Sequence, residues 1–506
     1  MASEVRRAHH QVTFTVLTAG VGAYALLQSL VTPVLPTIQA DLHTSQDTVT
    51  WVLTAYLLSA SVFTPIMGRV GDVIGKERVF VATLVALGLG SLLAALAGNI
   101  TLLITARAVQ GIGGGVLPLA FGIVRDEFPK EKVSGAVGLL ASLTAVGGGF
   151  GIVLAGPIVN ALGYRWLFWL PMIVTFAAAL AAHFLVPSSP VRTPGRISGL
   201  PALLLSVWLV ALLVGFSEAP KWGWGSGRTI GLLTAAVVLA LTWVQVERRA
   251  AAPLIDMRMM RLPAVWTTNL VSLLFGVGLY GAFAFVPQFV QTPSSAGYGF
   301  GAGTTQAGLI LLPLTLMTFA LGLVAGNLAR RSGDKAVVLA GCVIAVVAMS
   351  WLAFAHTDKW ELYVGTGVLG VGFGLAFATM SSLIVSAVPA SQTGVASGMN
   401  ANIRTIGGAV GAALMSSIVT SDLGPSGLPA ESGYTHGFTL LAGALAIAAV
   451  AAAAIPATAR RRHLVVGGEP ERSPDTPAQA APAAAAGGPG PTVEGPADRE
   501  RSAEKL

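Results

Sequence analysis

Between about residues 12 and 456 the chain is a succession of apolar runs, each close to the roughly 20 residues that a helix needs to cross a hydrocarbon layer. In hydrocarbon every backbone N–H and C=O must be satisfied within its own segment, so runs of this length read as spanning helices. Only 10% of the residues are charged and the mean hydropathy is +0.74, which excludes an ordinary water-soluble domain set. The fold class expected is an all-α polytopic membrane protein. Runs near 12–34, 51–71, 79–97, 101–122, 135–159, 166–186, 199–217, 229–246, 264–290, 304–328, 335–356, 362–388, 393–420 and 436–456 give fourteen transmembrane helices.

Loop lengths and composition divide these runs into six, two and six. A cytoplasmic amino terminus (1–11) precedes a six-helix bundle (12–186), a linker with two extra transmembrane helices (187–262), a second six-helix bundle (263–456) and a tail (457–506). The tail is rich in Ala, Pro and Gly, cannot bury a core, and is expected to be disordered. With the amino terminus inside, roughly 20 Lys and Arg fall on the inner side, against Arg165, Lys221, Arg228 and Lys359 outside. Both termini are therefore expected in the cytoplasm, in a multi-pass protein of the inner cell membrane. The first run follows Arg6 and Arg7 and ends in Pro33 and Pro36 instead of a small-residue cleavage site, so it reads as an uncleaved span.

The basic pI of about 9.7 follows from loop charges and requires no nucleic acid. Cys342 is the only cysteine, which excludes an intrachain disulfide and a cysteine-based metal cluster. Gly75-Lys76 lacks the upstream glycine of a phosphate-binding loop, and Gly365 to Gly370 matches a dinucleotide fingerprint only in letters, inside an apolar run. The histidines form no metalloprotease pattern, and no serine stands in a Gly-x-Ser-x-Gly nucleophile pattern. No enzyme activity, cofactor or metal is expected.

Charge and glycine concentrate between the second and third runs, at Gly68, Gly71, Asp72, Gly75, Lys76 and Arg78. Gly68 suits a close approach of two backbones, Asp72 places a carboxylate at the end of an apolar run, and Gly75 permits a reversal. Either a plain basic loop or a latch between helices would use these parts. Gly326, Arg330 and Gly333 repeat the spacing of Gly68, Asp72 and Gly75 with the middle charge reversed, which implies two related helical halves. Asp72 is expected to face the amino end of the thirteenth span, near Thr393.

Polar side chains inside the runs are costly and point inward. Arg107, with Gln110 on the same helical face, stands well inside the fourth run. Asn400, Asn402 and Arg404 lie in the inner half of the thirteenth. The fifth run carries Gly147, Gly151, Gly156 and Pro157, a small-residue groove that fits helix packing as well as a dedicated function.

Taken together, these residues resemble the Major Facilitator Superfamily, in its fourteen-span drug:proton antiporter branch of multidrug efflux pumps. The resemblance covers about residues 12–456. The loop motif matches Gly68, Asp72, Gly75 and Arg78; the fourth-span motif matches Arg107, Gln110 and Gly111; the antiporter motif matches Gly147, Gly151 and Gly156. Two positions depart from the family pattern. The first span holds Gln28 where an acid is usual, and the antiporter Gly-Pro is Gly151-Ile152, with proline displaced to Pro157. The resemblance implies a secondary active transporter that exports small amphipathic drugs or antibiotics by proton antiport and alternating access. Its partners are then a small-molecule substrate, protons and the lipid bilayer, with a monomer as the default. A facilitator on the same fold, or a non-transporting membrane sensor, remains open. With Gln28 in the acid's place, Glu218 at the outer end of the seventh span and His183 late in the sixth are the candidate proton carriers.

Overall fold

A computed structural model describes residues 10–189, 199–250, 253–421 and 428–456. The tail from residue 457, the first nine residues and the linker segment with Arg192 and Arg196 lie outside the described residues. Among the described residues thirteen helices are long and apolar enough to cross a membrane. They are α1 (His10–Ser29), α2 (Gln46–Ile74), α3 (Lys76–Ala95), α4 (Ile100–Glu127), α5 (Lys130–Leu162), α6 (Trp166–Leu185) and α7 (Gly199–Trp222), then α8 (Gly227–Arg249), α9 (Pro263–Gln291), α10 (Thr304–Ser332), α11 (Asp334–Phe354), α12 (Lys359–Ala387) and α14 (Glu431–Ala453). Between α12 and α14 stands α13 (Thr393–Val419), a 27-residue helix that carries Asn400, Asn402, Arg404 and several glycines and is not among the thirteen. α4 passes through one 3-10 turn at Gly111–Gly115. Pro157 sits inside α5, which continues to Leu162.

The packing pattern repeats with an offset of eight helices. In the first half α1 packs on α5 and α6, α3 on α6, and α4 on α2 and α3. In the second half α9 packs on α13 and α14, α11 on α14, and α12 on α10 and α11. The halves meet along two related seams, α2 against α13 and α5 against α10. Two six-helix bundles joined at equivalent helices make the fold. The extra helices α7 and α8 pack on each other, with Trp208 and Trp243 5.8 Å apart, and α7 leans on α2 and α13 beside the first seam. α8 shows Leu241 and Val238 to its surroundings, 63% and 56% exposed, as a lipid-facing helix should.

Small residues let the seams close, because helices in lipid associate by van der Waals contact and not by expulsion of water. A Cβ on Gly68 would lie 2.5 Å from the carbonyl oxygen of Gly394, and one on Gly394 would lie 2.7 Å from that of Gly68. At the second seam a Cβ on Gly326 would lie 3.2 Å from the Cα of Gly135. The glycines that end α2 and α10 share a positive φ, 127° at Gly75 and 90° at Gly333, a conformation that other residues adopt only with strain. Gly68→Val inserts a branched side chain against backbone that cannot yield. It is expected to lower stability by about 1–3 kcal/mol, read as a fall in the melting temperature of the purified protein, whereas Gly98→Ala, which meets nothing within 4 Å, leaves it unchanged.

Candidate functional site

Where the α2–α3 turn reaches the end of the bundle, charged groups are buried and each has a specific partner. Asp72 has no exposed surface. Its carboxylate accepts from the backbone N–H of Val395 at 3.1 Å and of Gly394 at 3.4 Å, two of the donors that a helix leaves unpaired at its start. Arg125, near the end of α4, donates to the Val385 carbonyl and to the Thr393 hydroxyl, the latter at 2.8 Å. Lys76 is also fully buried and donates to Asp126 at 2.7 Å and to the Ala390 carbonyl at 3.4 Å. Gly122 makes room for it, since a Cβ there would lie 2.5 Å from the lysine Cδ. Ser382 donates to Ser134 at 2.7 Å across α12 and α5. These bonds seal this end of the bundle between the halves.

The echo does not repeat the arrangement. Arg330 is exposed and donates at 3.3 Å to the carbonyl of Glu131 near the start of α5. A cation cannot accept the N–H groups that Asp72 accepts, so the two seams carry different chemistry at equivalent places. Arg78 points outward, 66% exposed, within 3.8 Å of Glu77.

From mid-bundle toward the opposite end runs a cavity of about 400 Å³ between the halves. Its lining includes Tyr24, Gln28, Tyr56, Tyr280, Phe283, Phe377, Asn402 and Arg404. Thr64 is the deepest α2 residue in the lining, and Asp72 stands about two helical turns beyond it. The cavity floor therefore rests on the sealed end. Gln28 donates across the halves to the Tyr280 hydroxyl at 3.5 Å.

Arg107 is fully buried just behind this lining. It donates to the Val52 carbonyl at 3.0 Å, to Gln110 Oε1 at 2.7 Å and to the Leu27 carbonyl at 3.4 Å, and lies 4.2 Å over the Tyr56 ring. Gln110 in turn donates to Ser91 at 2.8 Å. Arg107 thus ties α4 to α1 and α2 and carries Tyr56 at the cavity wall. Asn400 is turned away from the large cavity, donating at 2.8 Å to both Asn269 and Ser272 of α9. The α5 glycines face α1: Ser29 donates to the Gly147 carbonyl at 2.9 Å, and a side chain at Gly151 would strike Ser29. Gly156 faces Thr305 of α10 instead. Pro157 lies one residue beyond it in α5. Glu218 is half-buried near the end of α7, and His183 is exposed on α6 with its ring 4.9 Å from Phe184. Neither belongs to the cavity lining.

Residue-by-residue reading of the motifs left out Arg125, Asp126, the partner of Lys76, and the aromatic wall. The available signal was Val124-Arg125-Asp126, where charge follows directly on an apolar run. Asp126→Ala leaves Lys76 buried without its counter-charge, at a cost of about 3–5 kcal/mol, whereas Lys76→Met combined with Asp126→Leu recovers most of that loss. Thermal unfolding of the two variants beside the wild type checks the sign and the order.

The sequence profile of the Major Facilitator Superfamily matches residues 17–412 and 298–486. A multidrug resistance protein B homolog of Mycobacterium tuberculosis is 31% identical over 398 residues, covering 76% of this chain and 71% of that protein. The tetracenomycin C resistance and export protein of Streptomyces glaucescens is 27% identical over 421 residues, 81% of this chain and 76% of its own length. An uncharacterized transporter of the superfamily from Mycobacterium tuberculosis is 30% identical over 84% of this chain, which spans only 61% of the length of that relative. The crystal structure of the human organic anion transporter MFSD10 (TETRAN) superposes with a TM-score of 0.63 at 16% identity, covering 87% of this chain and 98% of that one, a likeness of fold alone. With two bundles meeting at equivalent seams, a central cavity and a profile match over most of its length, the chain belongs to the Major Facilitator Superfamily.

Proposed function

We propose that this transporter exports small amphipathic molecules across the cytoplasmic membrane by alternating access driven by proton entry. The observation that carries the reading is the cavity between the halves, shut at one end by a few exchangeable polar bonds. Opening that end means giving up the bonds of Asp72, Arg125 and Ser382 and that of Lys76 to Ala390, a set small enough for substrate and proton binding to offset. The excess of Lys and Arg in alternate loops supports a cytoplasmic sealed end, and on that orientation the conformation is the outward-facing one. The names of the multidrug and tetracenomycin relatives support amphipathic cargo.

A facilitator on the same fold is the second reading, and one observation favours it. Among the described residues no acidic side chain lines the cavity, and Gln28 stands in its wall where the family usually has an acid. Efflux from a pump-deficient host, tested with antibiotics, dyes and biocides, finds the cargo. Substrate-induced proton release from the purified protein then separates the readings: antiport gives release, facilitation gives none. Unchanged release in Glu218→Gln and His183→Ala excludes both as carriers. Saturable flux in liposomes removes a sensor role.

Asp72→Asn keeps the shape of the side chain and removes its charge from the start of α13, an interaction of about 1–2 kcal/mol, or about tenfold in the population open to the cytoplasm. With Cys342→Ser as background, a cysteine placed by Ser397→Cys is expected to react correspondingly faster with an impermeant maleimide applied from that side. Unchanged labelling and unchanged efflux remove the latch. Arg107→Lys retains charge but loses the planar fork that serves three acceptors, so efflux is expected to fall at least about tenfold in a protein that still folds. Wild-type efflux in that variant makes Arg107 a replaceable structural charge.

A further inference from the structure

We propose that the cavity selects amphipathic organic anions, with Arg404 as the group that recognises the negative charge; this rests on the reading of the cavity as the transport site. Two arginines stand near the cavity, one from each half, and only Arg404 belongs to its lining. The guanidinium of Arg107 donates from Nε and Nη1 to two carbonyls and Gln110 and lies outside the lining, while its Nη2 is buried without a partner. That of Arg404 stacks 4.1 Å over the Phe377 ring and reaches the cavity. Stacking uses the face of a guanidinium and leaves its N–H edge free. No acidic side chain and no hydrogen-bond acceptor among the described residues takes up that edge.

Arg404 is the single ionised side chain in the lining, beside the hydroxyls of Tyr280 and Tyr24, which are near enough to interact with it. Asn402, also in the lining and 1% exposed, has neither its amide nitrogen nor its carbonyl oxygen bonded within the protein. Unpaired polar groups held in a largely apolar chamber are costly, and a ligand that pairs with them removes the cost. Arg404 and Asn402 together ask for an acceptor that carries negative charge. The ring faces of Tyr24, Tyr56, Tyr280 and Phe283 ask for a flat apolar body, and the volume of about 400 Å³ suits one of a few fused rings. The class is a planar aromatic bearing a carboxylate, sulfonate or ionised phenol or enol. A lipophilic cation would meet Arg404 with no carboxylate to answer it, so the same residue discriminates by repulsion.

The test uses the full chain in lipid nanodiscs and two dyes with one xanthene core, dianionic fluorescein and cationic tetramethylrhodamine methyl ester, with binding read by fluorescence anisotropy. Wild type is expected to bind fluorescein at least about tenfold tighter than the rhodamine. Arg404→Gln should lose about tenfold or more for fluorescein and nothing for the rhodamine, and Arg404→Lys, which keeps the charge, should retain most of the preference. Equal affinity of wild type for the two dyes, or fluorescein binding unchanged in Arg404→Gln, overturns the proposal. Gly148→Trp, at a lining position where an added Cβ meets nothing within 4 Å, obstructs the cavity and separates the two failures. If it displaces both dyes while charge makes no difference, the anion inference alone falls. If dye binding ignores it, the cavity is not the transport site and the export reading falls as well.

Discussion

A carboxylate without exposed surface, answered not by a cation but by two peptide N–H groups, is the interaction on which the closed end depends. Asp72 can reach the start of α13 only because Gly68 and Gly394 bring two backbones together without side chains between them. The same turn that presents Asp72 ends α2 at Gly75, and the next residue, Lys76, is then driven into the bundle toward Asp126. One short stretch thus sets the helix reversal, the seam and a buried ion pair. The α5–α10 seam has the glycine contact but an exposed arginine in place of the carboxylate, so its closure leans on packing while the α2–α13 seam leans on charge and hydrogen bonds.

The interior holds some of its polar groups in hydrogen bonds and leaves others without a partner. Arg107, Gln110 and Ser91 form a hydrogen-bonded chain inside the first half, and the 3-10 turn at Gly111–Gly115 lets α4 press against α2 beneath it. Asn400 is likewise consumed by Asn269 and Ser272, tying α13 to α9. Groups so paired hold a wall in place. Arg404 and Asn402, on the same helix as Asn400, belong to the cavity lining, and the amide of Asn402 is buried there without a partner. Residues a few positions apart on one helix therefore do different work, according to which of its faces each occupies.

The all-helical membrane fold was legible in the sequence, because in hydrocarbon the length of an apolar run and the cost of a charge decide what can span. The Asp72 loop and its glycine echo were legible too, since spacing between special residues survives in the linear chain. Arg107 and Arg404 stood out alike, each an arginine in an apolar run, and nothing linear separated them. What each guanidinium touches depends on carbonyls and rings from other helices, Val52 and Leu27 for one and Phe377 for the other. The partner of Lys76, at Asp126, and the aromatic wall drawn from α1, α2, α9 and α12 were decided by the tertiary structure alone. Pairing between distant segments follows from how the helices rotate and approach, and that is set by packing along whole interfaces, not by any local run of residues.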